Sequence, residues 1–304
     1  MTTSGVPLEP PTAAFKTSPV VHEIYAASTD TWQYIVADAT TLHCIVLDPV
    51  RDRCADPAAM STSAADAIIA VIKERGYVVD YILETHAISP DCLSAAWYLR
   101  MQVSIIQGFA PQLCNEATVS GLELMWQRKY GASSAFSTTI RAGLDDGVII
   151  TFGWLSLKCM HMTGFGTPYR RAYLVGNEIF GVHSIATLRE DMTHTNLESV
   201  VVRAADSPSK DSPHRCDAWS SMQRVLSLPA NTRVWREKGD GSPSTSSKPC
   251  DSVAECAALN EHAKSTEAEF LADLRAKTML WRAAQGDANA DGGWKSRLGS
   301  WLSL

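Results

Sequence analysis

The sequence predicts an α/β fold in which helices are layered on sheet, and three observations predict it. Short apolar runs of strand character alternate with segments of helical spacing. The turns between them are built from Ser, Thr, Asp and Gly. One strand-like run, VVDYIL, ends in the chemically loaded turn ETHAISPDCLSAA, Glu84 to Ala96, and strand ends of this kind are where α/β enzymes place their chemistry.

Taken in order, VVHEIYAA, WQYIVAD and LHCIVLDP are β-branched and aromatic runs bounded by polar turns, and read as strands. STSAADAIIAVIKERG has a Ser/Thr start, apolar residues at helical spacing and a Gly stop, the marks of a helix. VVDYILETH reads as a strand, DCLSAAWYLRMQ as a helix opened by Asp91, and VSIIQG as another strand. NEATVSGLELMWQRKYG reads as a helix. Strands return in GVIITFGWLSLKCMHM and in RAYLVGNEIFGVHSI, which turns at GNE and leaves His183 at a strand end. CDAWSSMQRVLSL follows as a helix and TRVW as a short strand.

Residues 237–252, EKGDGSPSTSSKPCDS, read as a loop on their Gly, Ser and Pro content. Residues 265–284 read as a helix with Ser/Thr at its start and Glu three residues on. The expected organisation is a flexible leader (1–18), one domain (19–284) and a tail (285–304). In the tail Trp294, Leu298, Trp301 and Leu302 can share one helical face. That face either packs on its own domain or docks on a membrane or a second copy of the chain.

Bulk composition narrows the function classes. Over 304 residues the apolar share is 45%, enough for a full core. A net charge of -6 argues against nucleic acid or an anionic membrane as a bulk partner. No apolar run approaches the ~20 residues needed to cross a bilayer. The eight cysteines form no CxxC pair, and the N-terminal stretch lacks the pattern of a secretory signal. The expectation is a cytoplasmic protein with reduced thiols. A GxSxG elbow, a GxGxxG turn and a phosphate loop are missing, and HEIY lacks the second His of a zinc-protease motif.

Several segments carry a family likeness. IVLDPVRD, residues 45–52, resembles a strand ending in DPV; DYILETHA…DCLSAAWYL resembles ILETHAHADHLSAA.YL. TGFGTPYRRAYLVGNEIFGVHSI resembles TPGHTP…Y.VGD..F.GDTL, LPANTRVW resembles LP..T.VYPGH, and SVAECAALNEHAKSTEAEF resembles a late E…NP…s.eeF segment. In order and spacing these are similar to the persulfide dioxygenase and hydroxyacylglutathione hydrolase (glyoxalase II) branch of the metallo-β-lactamase superfamily. The likeness covers roughly residues 20–275 and implies a four-layer αββα sandwich.

The resemblance also implies a metal site, and here the sequence departs from the family. The family's HxHxDH motif, a later His, an Asp and a final His hold one or two ions. Matched residue by residue, His86 and Asp91 are kept. The second His falls at Ile88 or Ser89 because this turn is one residue longer, and the last His of the motif becomes Cys92. The later His becomes Gly166, the Asp becomes His183 and the final His becomes Lys238. A catalytic zinc keeps three protein ligands, and a mononuclear iron of this branch uses two His and a carboxylate. The expectation is no metal cofactor. The alternative is a single rebuilt zinc or iron on His86, His183 and either Asp91 or Cys92. Taken singly, Asp91 also suits a helix cap, His86 a bond to a backbone carbonyl, and Cys92 a buried thiol.

The hollow implied by the fold offers Phe165, Tyr169, Arg170, Arg171 and Lys238 from its turns, with Trp154 and Trp235 on neighbouring strands. Arg170 and Arg171 are expected to clamp an anionic group together, and His86, Asp91, His183 and Tyr169 to move protons. The expected protein is a metal-independent cyclase, isomerase or lyase, acting on a hydrophobic small molecule of a specialised biosynthetic pathway. Two alternatives stand beside it. One is a metal-dependent hydrolase or dioxygenase acting on a glutathione thioester or persulfide; the other is an inactive binding or scaffold protein.

Overall fold

The structure, a computed structural model, describes residues 18–52, 61–85, 94–114, 140–141, 144–163, 170–187, 217–237, 250–273 and 276. The first sheet holds β1 (Val20–Ala26), β2 (Thr31–Ala37), β3 (His43–Leu47), β4 (Val78–Leu83), β5 (Gln112–Cys114) and β6 (Ile140–Arg141), in that spatial order. It is antiparallel from β1 to β3 and parallel from β3 to β6. The second sheet holds β7 (Ile149–Phe152), β8 (Leu155–His161), β9 (Arg171–Val175), β10 (Glu178–Phe180), β11 (Arg233–Trp235) and β12 (Cys250–Ser252), again as neighbours in chain order. Its β10–β11 pair is parallel and the others antiparallel.

Alternation of side chains along each strand sorts the apolar residues into layers. From β2 and β3, Tyr34, Val36, Ile45 and Leu47 face the second sheet, where they meet Phe152, Leu157, Tyr173, Phe180 and Trp235. Their sequence neighbours Ile35, Ala37, Cys44 and Val46 face outward onto α1 (Ser63–Arg75) and α2 (Ala96–Gln107). On the far side of the second sheet, Met160, Ala172, Ile179 and Val234 pack against three helices. These are α3 (His183–Thr187), α4 (Asp217–Leu226) and α5 (Val253–Leu259). Residues 267–273 form one further helical segment, α6, which adds Phe270 to that core. The order helix, sheet, sheet, helix is the expected αββα sandwich. Among the described residues Cys44, Cys159, Cys250 and Cys256 are not joined in disulfides, and no helix there is long and apolar enough to cross a membrane.

Most predicted elements are present, with four corrections. The helix read as opened by Asp91 begins at Ala96, with Ala95 at its cap position. VSIIQG is the end of α2 rather than a strand: Leu99 and Val103 bury one helical face, and Gly108 ends the helix in the left-handed conformation. His183 opens α3 instead of ending a strand. Cys250–Ser252, expected as loop, is β12 paired with β11. Ser252 and Glu255 then form a capping box at the start of α5. The expected cap on residues 265–284 is present at Thr266, whose hydroxyl and N–H both donate to Glu269. The leader, the 115–131 helix and the tail lie outside the described residues.

Thr85, at the end of β4, joins the two sheets. Its N–H and hydroxyl donate to the two carboxyl oxygens of Asp48 at 2.7 Å each. Its carbonyl accepts the N–H of Arg171, the first residue of β9, at 2.6 Å. Gly181, at the end of β10, presses on its side chain. A Cβ there would stand 2.6 Å from Thr85 Cβ and 2.7 Å from the Arg171 carbonyl. Asp48 is buried and holds a positive φ of 50°. Burial pushes its carboxyl up to about 7, with the Thr85 hydrogen bonds opposing and the charges of Glu84 and Glu237 adding to the rise.

Gly181→Ala is expected to cost about 2–3 kcal/mol, because a left-handed φ of 83° and a blocked Cβ act together. Gly176→Ala, also at positive φ but with its nearest obstacle 3.5 Å away, should cost less; urea denaturation of the two variants makes the comparison. Asp48 gives a pH effect of definite sign. Its unfolded pKa is near 3.8 and its folded pKa about 7. The folded chain therefore keeps a proton that the unfolded chain has released, and stability falls as pH rises across that window. Asp48→Asn should remove the loss, gaining about 2–3 kcal/mol on the parent between pH 5 and pH 8 in urea titrations.

Candidate functional site

Parallel register brings one set of strand ends to one edge of the sandwich. Asp48, Glu84 and Thr85 follow β3 and β4 there. Gly181 to Ser184 follow β10, and Arg236 and Glu237 follow β11, whose Trp235 pairs with Phe180. Asp251 reaches the same edge from β12. Two bonds from β2 fix the end of β11 across the sandwich. Trp32 donates its N–H to the Glu237 carbonyl at 3.0 Å, and the Tyr34 hydroxyl donates to the Arg236 carbonyl at 2.6 Å. Burial, then the Glu237 charge, raise the Tyr34 pKa, so this hydroxyl stays protonated.

Two charged groupings sit on this edge. In the first, Arg170 Nη2 donates to Glu237 Oε1 at 2.6 Å and to Ser184 Oγ at 2.7 Å, while its Nε donates to the Gly181 carbonyl at 3.3 Å. The Ser184 N–H donates to the other Glu237 oxygen at 3.3 Å. In the second, His183 Nε2 lies 2.7 Å from Asp251 Oδ2, and Arg236 Nη2 donates to the same oxygen at 2.7 Å. Burial alone would lift the Asp251 carboxyl. The hydrogen bonds and charge of His183 and Arg236 outweigh it and hold the group below the usual carboxylate range. Asp251 is therefore an anion that fixes the His183 ring and directs a proton onto Nε2. His183 Nδ1 has no hydrogen-bond partner among the described residues.

Of the residues singled out from sequence, His183 and Arg170 meet on this edge. His86, Asp91, Cys92, Phe165, Tyr169 and Lys238 lie outside the described residues. Three expectations are corrected. Arg170 and Arg171 do not form a clamp: Arg170 is taken by Glu237 and Ser184, whereas buried Arg171 donates Nε to the Leu144 carbonyl at 3.0 Å. Neighbours on an extended chain point to opposite faces, which separates them. Trp235 belongs to the core. It stacks on Phe180 with centroids 5.8 Å apart, and its Nε1 donates to Glu178 at 2.7 Å. Trp154 sits in the β7–β8 turn, where its N–H donates to Asp38. That is the opposite end of β8 from His161, roughly 20 Å along the strand.

Sequence reasoning missed Asp251, Arg236 and Glu237. Asp251 had a readable signal: the SVAE capping pattern that follows it marks a helix start, so the residues just before had to be an ordered approach rather than open loop.

The described residues do not by themselves make a metal centre at this edge. His183 has one ring nitrogen committed to Asp251, and the guanidiniums of Arg236 and Arg170 bring positive charge to the same groupings. A His backed by a carboxylate is also the arrangement that orients a metal-bound imidazole, so the fit to a single ion turns on His86, Asp91 and Cys92.

No family model matches the chain. It is 30% identical over 220 residues to a beta-lactamase hydrolase-like protein of Xylella fastidiosa, across 72% of this chain and 46% of that one. The chain thus spans about half the length of this curated relative. It is 27% identical over 219 residues to a probable metallo-hydrolase of Burkholderia pseudomallei, across 71% of this chain and 70% of that one. Among solved structures, a metallo-beta-lactamase of Staphylococcus aureus superposes with a TM-score of 0.56 at 18% identity, covering 84% of this chain and 67% of that one. With its two sheets faced by helices on both sides and its charged edge at the strand ends, the chain has the metallo-β-lactamase fold.

Proposed function

We propose that the chain is an enzyme of this fold that works without a metal ion. In this reading it is a cyclase, isomerase or lyase, shaping a hydrophobic small molecule of a specialised biosynthetic pathway and moving a proton at His183. The observation that carries the reading is the Asp251–His183 pair, 2.7 Å apart and buried, with Arg236 on the same carboxylate. An imidazole oriented by an anion is a proton-transfer group. It stands where the resemblance puts a metal-holding carboxylate, and Gly166 and Lys238 stand where it puts histidines. Gly166 has no donor atom, and the Lys238 ammonium opposes a cation. Arg170 serves to hold Glu237 and Ser184 in place, so recognition of the ligand rests on shape and hydrogen bonding more than on a free cation.

A second reading has its own support. The carboxylate behind His183 suits a metal-bound imidazole, and one relative is described as a probable metallo-hydrolase. On that reading a single zinc or iron would be held by His86, His183 and Asp91 or Cys92, where it would activate water for hydrolysis of a glutathione thioester or, as iron, dioxygen for oxidation of a persulfide.

One set of measurements separates the two. For the metal-independent enzyme, a chelator leaves turnover of a hydrophobic pathway intermediate unchanged, and His183→Gln lowers turnover by about a hundredfold or more. About one zinc or iron per chain, lost in both His86→Ala and His183→Gln and removed by chelator along with glutathione thioester hydrolysis, would establish the second reading instead.

A further inference from the structure

A second constellation of ligand atoms lies in the turn between α5 and α6. Glu261, His262 and Asp273 each offer one donor atom, and the three atoms lie within 4.8 Å of one another. His262 is buried and its ring is set from all sides. Its N–H donates to Asn260 Oδ1 at 2.8 Å, its Nδ1 lies 3.3 Å from Ser265 Oγ, and its ring meets Phe270 edge-on at 5.2 Å. The turn is tied to α4 by Trp219, whose Nε1 donates to the Ser265 carbonyl at 3.4 Å. These contacts aim Nε2 at the two carboxylates, 3.1 Å from Asp273 Oδ2 and 3.5 Å from Glu261 Oε1.

We propose that Glu261, His262 and Asp273 bind a divalent cation of the zinc type, and that this ion staples α6 to the turn after α5. The argument is geometric. Zinc bonds of about 2.0–2.2 Å in a tetrahedral arrangement set neighbouring donors roughly 3.4 Å apart. The two distances from His262 Nε2 already bracket that value, and the third edge closes by rotating Glu261, whose side chain is 59% exposed. One imidazole nitrogen and two carboxylate oxygens face a common point, and a divalent ion placed there would take all three as ligands. The Ser265 oxygen on Nδ1 is the outer contact that a metal-bound imidazole requires. With one nitrogen and two oxygens the set suits zinc, and the remaining position is left to water. This site shares no donor residue with the groupings around His183 and Arg170 and stands whichever reading of the hollow holds.

The test is calorimetric titration of zinc chloride into the full-length chain after chelator treatment, with a melting curve at each zinc level. One binding event is expected, weakened at least about tenfold by Glu261→Gln and by Asp273→Asn, since loss of one of three charged donors removes a large part of the site. Zinc should raise the melting temperature of the parent and not of the Glu261→Gln/Asp273→Asn double variant. The Glu261→Gln change alters an exposed side chain, so its fold is retained even if replacement of His262 is not tolerated. His183→Gln should leave this zinc event intact. Absence of zinc binding by the parent, or binding that survives the double variant and disappears in His183→Gln, overturns the proposal.

Discussion

Thr85 is the point on which the geometry of the strand-end edge depends. Its N–H and hydroxyl are given to Asp48, its carbonyl to β9, and its side chain to the bare face of Gly181. A buried polar group is tolerable only when its hydrogen bonds are made, so these contacts fix the end of β4 against the start of β9 and the end of β10. The position is unforgiving because hydrogen bonds and close packing coincide there: moving any one strand breaks a bond and opens or closes a contact at the same time. The groupings around His183 and Arg170 inherit their placement from this joint, and from the two hydrogen bonds that tether β11 to β2.

Two of the charge pairs near that edge are closely matched. Arg170 is matched by Glu237, and Arg236 by Asp251, in pairs whose side chains are mostly shielded from water. Such pairs add little net stability, since removing the charges from water offsets their attraction, but they hold direction firmly. Their effect is to present His183 in one orientation and to hold Ser184 beside Arg170. Burial keeps their geometry largely indifferent to ionic strength, unlike the exposed Arg224–Asp146 pair at 2.9 Å.

Much of the fold was legible because two-residue alternation in β2 and β3 separates the two cores residue by residue. VSIIQG misled because a β-branched run has strand character wherever it lies. Its helical state comes from Leu99 and Val103 packing on the first sheet and from the Gly108 stop, and only the stop is local. β12 was hidden because it pairs with β11 through main-chain bonds that any composition can make. The site was less legible than the fold. His183 was found through the family likeness, but its partner Asp251 is 68 residues away and no local pattern links them. The error over Arg170 and Arg171 was of another kind, since strand geometry alone forbids neighbours from gripping one ligand together. Trp154 and Trp235 were chosen for chemical type, and topology assigns one to the far end and the other to the interior.

The place of Thr85 in the chain has a consequence for how such a molecule can diverge. It stands directly before His86 and is held by Asp48 and β9, while Ser94, eight residues after His86, is held by its bridge to Val50. Each of these contacts is made by residues outside 86–93, so changes of sequence there leave the register of β4 and the seat of α2 their own supports. The ancestral scaffold and the reactive turn are thus free to drift separately, and a lineage can rewrite its chemistry while its architecture stands still.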